Sequence, residues 1–307
     1  MCRALLALLV VCAGLHADDA ADLARAAKSP YLLKRYLESH VGINLDPLWT
    51  TVPPGELIFV NCESAPCTTE LVSVQADRQV ILVVNDSQRN SQAYLRFQRP
   101  EGTAQWRITG VSSVGVKYFP PRHRLIQFGN KPFFCATGQG AAGSGLSTEW
   151  ESCYDLTAKG FEPAFEYSPK GNFWTLFALS IKWSGTIISM DPGPVETIRI
   201  CVRTEFSVAR DETSLPLGDR TDMLVYSRRP GTPSFKLDRR QSTISQADVA
   251  ALFENVDFQL GDFLRWDLPA LKRIAVGSDS PARRWLIDVL KEVQGPERNA
   301  LATLIPK

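Results

Sequence analysis

The stretch 196–206 reads Glu196-Thr197-Ile198-Arg199-Ile200-Cys201-Val202-Arg203-Thr204-Glu205-Phe206. Apolar side chains fall on alternate positions at Ile198, Ile200 and Val202, and the beat returns at Phe206. A period of two is the signature of a strand with one face buried.

Working outward, the same texture extends from Glu56 to about Ser227, a section rich in Val, Ile, Phe, Tyr, Trp and Thr. Strands are expected at Leu57–Asn61, Gln79–Asn85, Ala93–Gln98, Gln105–Thr109, Arg124–Gln127 and Phe133–Thr137. More follow at Ala164–Tyr167, Trp174–Trp183, Glu196–Phe206 and Asp222–Tyr226. Turn clusters punctuate them at Asn85–Ser91, Pro100-Glu101-Gly102, Ser168-Pro169-Lys170-Gly171 and Asp191-Pro192-Gly193-Pro194. Many short strands with few helical stretches among them predict an antiparallel β-sandwich or a barrel-like core.

Helical signals flank this core. Ser29-Pro30 and Asp46-Pro47 each place an N-cap before a proline, and Tyr31, Leu32, Tyr36 and Leu37 recur at helical spacing. After Arg229-Pro230-Gly231, Ser245 caps a helix carrying Val249, Leu252 and Phe253, with Asp248 in the capping-box region. Asp267 precedes a helix over Leu268–Val276 closed by Gly277. Ser280-Pro281 starts another with Trp285, Leu286, Val289 and Leu290 on one face, and Pro296 begins a last short one. The expected organisation is a signal at 1–17, an N-terminal helical segment at 18–54, a β-rich core at 55–230 and a C-terminal helical segment at 231–307. The fold class is mainly β, α+β overall.

Residues 1–17 read as a cleavable secretory signal. Arg3 supplies the positive start, Ala4–Val11 the apolar run, and Ala17 the small residue before Asp18-Asp19. The run is shorter than the roughly 20 residues a spanning helix needs. Leu9-Val10-Val11-Cys12 resembles a bacterial lipobox, except that Val11 stands where a small residue is usual. Lipidation of Cys12 is the one expected route to a membrane.

Composition narrows the partners. The chain carries 34 basic and 33 acidic residues, so it lacks the basic excess that nucleic acid or an anionic membrane would favour. Export favours disulfides. Of the seven cysteines, Cys2 and Cys12 lie in the signal. Cys62 and Cys67 flank a turn-like tetrad and form one candidate pair, and Cys135 and Cys153 form another. Cys201 is left over, as a thiol buried in the apolar strand Thr197–Val202. No zinc spacing is present and no metal is expected.

Several chemical patterns begin and fail to assemble. Gly138, Gly140 and Gly143 spell a literal G-x-G-x-x-G, but in β-rich surroundings without a βαβ unit, so no nucleotide or other cofactor is expected. The segment is expected to be a loop or hairpin connection; a ligand contact through Gly138, Gly140, Gly143 and Trp150 is the alternative. Gly143-Ser144-Gly145 misses the spacing of a nucleophile elbow. Asn85-Asp86-Ser87 and Asp257–Asp262 lack the later residues of a calcium loop. Glu149 and Glu151 beside Trp150, with Asp155 following, are the residue types of a glycosidase site. On a strand the two Glu would share one face about 7 Å apart, and the ordinary form of such a pair is a solvated face with Trp150 turned to the core. The reading is an exported, non-catalytic binding or structural protein of the envelope or exterior, periplasmic or extracellular, with a protein or glycan partner. The alternative is a glycan-directed hydrolase using Glu149, Glu151 and Asp155.

Overall fold

In the computed structural model, the described residues are 68–305, apart from short connections at 76–77, 88–89, 100, 102–106, 116–119, 144, 158–159, 211–212, 230 and 255–257. The signal, the N-terminal helical segment, the strand expected at 57–61 and the Cys62/Cys67 pair lie outside them. The fold is mainly β and antiparallel. Four strands, β1 (Thr68–Gln75), β2 (Gln79–Asp86), β3 (Ser91–Gln98) and β4 (Arg107–Gly115), form one meander in the order β1-β2-β3-β4. A second meander runs from β5 (Arg122–Phe128) through β6 (Lys131–Gly143), β7 (Leu146–Thr157), β8 (Gly160–Trp174), β9 (Leu179–Asp191), β10 (Glu196–Arg210) and β11 (Thr213–Arg228) to β12 (Lys236–Leu237). Both sheets are open, so among the described residues the sandwich expectation holds and the barrel does not.

The chain divides into two compact units. The first runs to Gly138 and includes Ser152–Ala164; the second comprises Gln139–Glu151 and Phe165–Lys307. In the first unit the two sheets face each other across Ile81, Val83, Tyr94, Phe134 and Ala136, with Val72, Val114, Leu125 and Phe161 packed around them. Tyr94 meets Phe134 edge-on at 4.8 Å between ring centres, a favoured aromatic geometry.

Two contacts bring these layers close. Arg96 on β3 is 2% exposed. Its guanidinium donates to the carbonyls of Leu156 at 3.2 Å, Gly160 at 3.0 Å and Thr157, the residues around the β7–β8 connection. Burial lowers its pKa to about 10, which leaves it charged at neutral pH. Beside it, Gly110 on β4 meets Gly160 backbone to backbone: a methyl on Gly110 would sit 2.8 Å from the Gly160 Cα. Gly160 also adopts φ 111°, a conformation that favours glycine. A disulfide joins the buried Cys135 on β6 to Cys153 on the neighbouring β7.

In the second unit the inner face of the sheet carries Ile181, Trp183, Ile198, Ile200, Val202 and Phe206, all buried. The C-terminal helices cover it: α1 (Gln246–Val249), continued by a π-helical turn to Glu254, then α2 (Leu260–Trp266), α3 (Leu268–Val276), α4 (Pro281–Glu292) and α5 (Pro296–Ala302). Phe263 packs on Phe206 and Phe253 on Trp183, each at 5.3 Å. Ser245 caps α1 and Ser280 caps α4 through their side chains, as their sequence positions imply. The buried Arg228 pairs with the half-buried Glu196 at 2.6 Å and ties the end of β11 to the start of β10, with Phe235 stacked on the guanidinium at 4.4 Å. Part of the outer edge of β11 is closed without a strand. Thr243 Oγ1 accepts from Met223 N–H and Ser242 Oγ from Val225 N–H.

Four expectations change. Trp174–Trp183 is not one strand: β8 ends at Trp174, a turn follows, and β9 begins at Leu179. Ser168–Gly171 is not a turn but lies inside β8, paired with β9 at Lys170↔Ser184 and Gly171↔Trp183. Gly171 is there because the Trp183 indole lies across it, so a methyl would overlap the ring. The glycine-rich segment is mostly strand. Cys201 is half-buried rather than buried, because the parity that turns Ile200 and Val202 inward turns Cys201 outward.

Arg96→Leu is expected to lower stability by about 3 kcal/mol or more, since it leaves buried carbonyls without donors. Arg96→Lys should recover only part of that. Urea unfolding measures both, and a loss under about 1 kcal/mol for Arg96→Leu would show that the guanidinium does not hold the layers. Reducing or removing the Cys135–Cys153 bridge, which closes an 18-residue separation, should cost about 3 kcal/mol. Thermal melts of the oxidised protein and a Cys135→Ala/Cys153→Ala variant would reveal it.

Candidate functional site

The glycine segment resolves into ordinary strand chemistry. Gly138 lies on β6 where a side chain would collide with Val114, and Gly143 and Gly145 take φ 132° and 90° at the β6–β7 reversal. Strand passes to strand, with no helix after the third glycine. The helix N-terminus that would receive a pyrophosphate is not built there. Gly140 lies on the same strand.

The acidic candidates on β7 take the opposite face from the solvated one expected. Glu149 and Glu151 are buried and Trp150 is half-exposed. The cause is parity: Cys153 is fixed inward by its disulfide, and on a strand Glu151 and Glu149 share its face. Both carboxylates are engaged. Lys170 Nζ pairs with Glu149 Oε1 at 2.7 Å, and the Tyr167 hydroxyl donates to Glu151 Oε2 at 2.6 Å. Ser168 Oγ accepts from the Trp183 indole N–H at 2.8 Å and donates to the Glu149 carbonyl at 2.9 Å. This cluster ties β7, β8 and β9 together. Asp155, farther along β7, is half-buried and belongs to the first unit.

The feature that stands out is the five-residue reversal from Trp174 to Ala178. Trp174 is 52% exposed and Phe177 37% exposed. Phe177 has φ 62° and Ala178 φ 57°. Left-handed backbone at two consecutive non-glycine residues costs about 1–2 kcal/mol each. Such strain persists only where surrounding contacts over-determine it, and three hydrogen bonds from three directions do so. Trp174 N–H donates to the Gly145 carbonyl at 3.0 Å, at the β6–β7 reversal. Thr175 N–H donates to the Leu179 carbonyl at 2.8 Å. The Trp285 indole N–H, from α4, donates to the Phe177 carbonyl at 2.9 Å.

Trp285 is thus half-buried and spent on holding the turn, while Trp266 is buried with its N–H on Asp248 Oδ1 at 3.1 Å. Sequence reasoning missed the turn because Thr175-Leu176-Phe177-Ala178 contains none of the usual reversal residues. The one available signal was an apolar run too long for the strand assigned to it. The face of β9–β10–β11 away from the helices is charged: Arg203 pairs with Asp219 at 3.2 Å and Glu205 at 3.7 Å, all exposed. Exposed pairs of this kind contribute little. Comparison with protein-family models, curated proteins and solved structures finds no match for the chain.

Ala178→Gly is expected to stabilise the protein by about 0.5–1 kcal/mol, because glycine takes positive φ without steric penalty. A rise in chemical-denaturation midpoint checks it. A loss of stability would mean that the turn is not strained at that residue.

Proposed function

We propose that this is an exported, non-catalytic binding protein of the cell envelope or exterior, which presents Trp174 and Phe177 to a protein partner. The observation that carries the reading is the exposure of two aromatic side chains on a strained turn that three hydrogen bonds hold in place. Aromatic anchors dominate binding energy when they enter a partner's pocket. Holding them rigid beforehand reduces the entropy lost on association. The signal-like residues 1–17 support export, and a disulfide between buried cysteines suits an oxidising compartment. No helix among the described residues is long and apolar enough to cross a membrane.

The hydrolase reading gains no support from the site. A glycosidase needs one carboxylic acid and one carboxylate open to the sugar, whereas Glu149 and Glu151 are buried and engaged. The two readings separate cleanly. A Trp174→Ser/Phe177→Ser variant should keep its melting temperature and lose partner capture by at least tenfold. A Glu149→Gln variant should retain capture. Equal capture by wild type and the double variant would remove the turn from the interface. Glycan cleavage abolished in Glu149→Gln would favour the hydrolase, and glycan binding lost with Trp174 would replace the protein partner by a sugar.

A further inference from the structure

Asp267 occupies an unusual place. It closes α2 and opens α3: its N–H bonds to the Phe263 carbonyl at 3.0 Å and its carbonyl receives Leu271 N–H at 3.0 Å. An aspartate at that position normally caps the second helix with its carboxylate. Here the side chain caps neither helix, and Pro269 removes one of the donors it would use. The carboxyl instead points at the sheet. A methyl on Gly218 of β11 would lie 2.6 Å from Asp267 Oδ1 and 2.7 Å from the Ala270 Cβ. Gly218 is therefore the seat on which the α2–α3 junction rests. The residue is 2% exposed, and Oδ2 has no hydrogen-bond partner.

The charged groups facing it are Arg273 of α3 and Asp219 and Arg220 of β11. Arg220 is committed to Asp222 at 2.5 Å and Asp219 to Arg203. Among the described residues, the basic groups of the other helices are committed elsewhere. On α2, Arg265 is paired with Asp248 and Asp262. On α4, Arg283 holds the Ala275 carbonyl and Lys291 pairs with Asp288, while Arg284 pairs with Asp279. On α5, Arg298 holds the Leu290 carbonyl.

We propose that Asp267 is a proton-operated latch: the α2–α3 junction docks on Gly218 while the carboxyl carries its proton, and loosens when the carboxyl ionises. A buried carboxylate without a partner is strongly disfavoured, whereas a protonated carboxyl is tolerated. Burial, the main cause, pushes the group up to about 7, against a smaller opposing pull from Arg273. The sign follows from linkage. The docked state binds the proton more tightly than the undocked one, so docking is strongest in acid. It weakens as pH rises from about 4 to about 7, by about tenfold per pH unit and about a thousandfold in all. The latch does not depend on the binding reading.

The test uses the full chain. Amide exchange across residues 260–277, corrected for intrinsic pH dependence, should accelerate in wild type between pH 5 and pH 8. In Asp267→Asn, which is neutral at every pH and nearly isosteric, it should stay flat and slow. The melting temperature of the variant should exceed wild type above pH 7. Identical pH profiles for the two proteins, or acceleration spread evenly over the whole chain, would overturn the latch. Should Asp267→Asn fail to fold, carbon NMR of the wild-type Asp267 carboxyl decides: a midpoint near 7 supports the latch and an ordinary carboxylate midpoint near 4 rejects it.

Discussion

A cation buried against carbonyl oxygens sets the terms for the first unit. Arg96 reaches from the smaller sheet to the backbone of the β7–β8 connection, and its counter-charge is a set of peptide dipoles. An arginine suits this role because its planar fork delivers several donors at fixed angles, which a lysine ammonium does not. The arrangement requires the backbones to come close, and the Gly110–Gly160 contact supplies that closeness. Once the connection is fixed, the Cys135–Cys153 bond fixes the register of β6 against β7. Register in turn decides which side chains of β7 face inward, since a slip of one residue would exchange the faces. The burial of Glu149 and Glu151 follows from these constraints in sequence.

Among the described residues of the second unit, left-handed non-glycine backbone falls in one place, Phe177-Ala178. Two left-handed residues in succession, one of them a phenylalanine, would relax if the turn were free. Three hydrogen bonds from separate elements prevent it. The result is a pair of aromatic rings projected into water from a rigid base, the opposite of the usual pairing of exposure with disorder. Trp285 couples the turn to α4, so the position of the helical layer bears on the geometry of the turn.

The sequence made the broad architecture legible wherever side-chain parity was clean. Ile198, Ile200 and Val202 alternate because one face of β10 is covered by helices, and that face was readable. Helix starts were readable for the same local reason, with Ser245 and Ser280 capping as their positions suggest. Legibility failed where a local signal was overridden by something distant. Ser168-Pro169-Lys170-Gly171 has turn composition, yet the glycine serves the Trp183 ring across the strand pair. Trp174–Trp183 lacks reversal residues, yet it reverses, because two partners distant in sequence, the Gly145 carbonyl and the Trp285 indole N–H, hold it. Asp267 marks the start of α3 correctly and still does not cap it. The exposed turn and the buried acid, on which the two proposals rest, each depend on neighbours remote in sequence.

The hydroxyl closure of β11 has a further consequence. A strand edge normally offers a ladder of free N–H and C=O groups to any extended chain that meets it. At Met223 and Val225 those donors are already taken by Thr243 and Ser242. That length of edge cannot template another copy of the protein. Growth by strand addition is blocked along that part of β11, where hydroxyl groups stand in for a neighbouring strand.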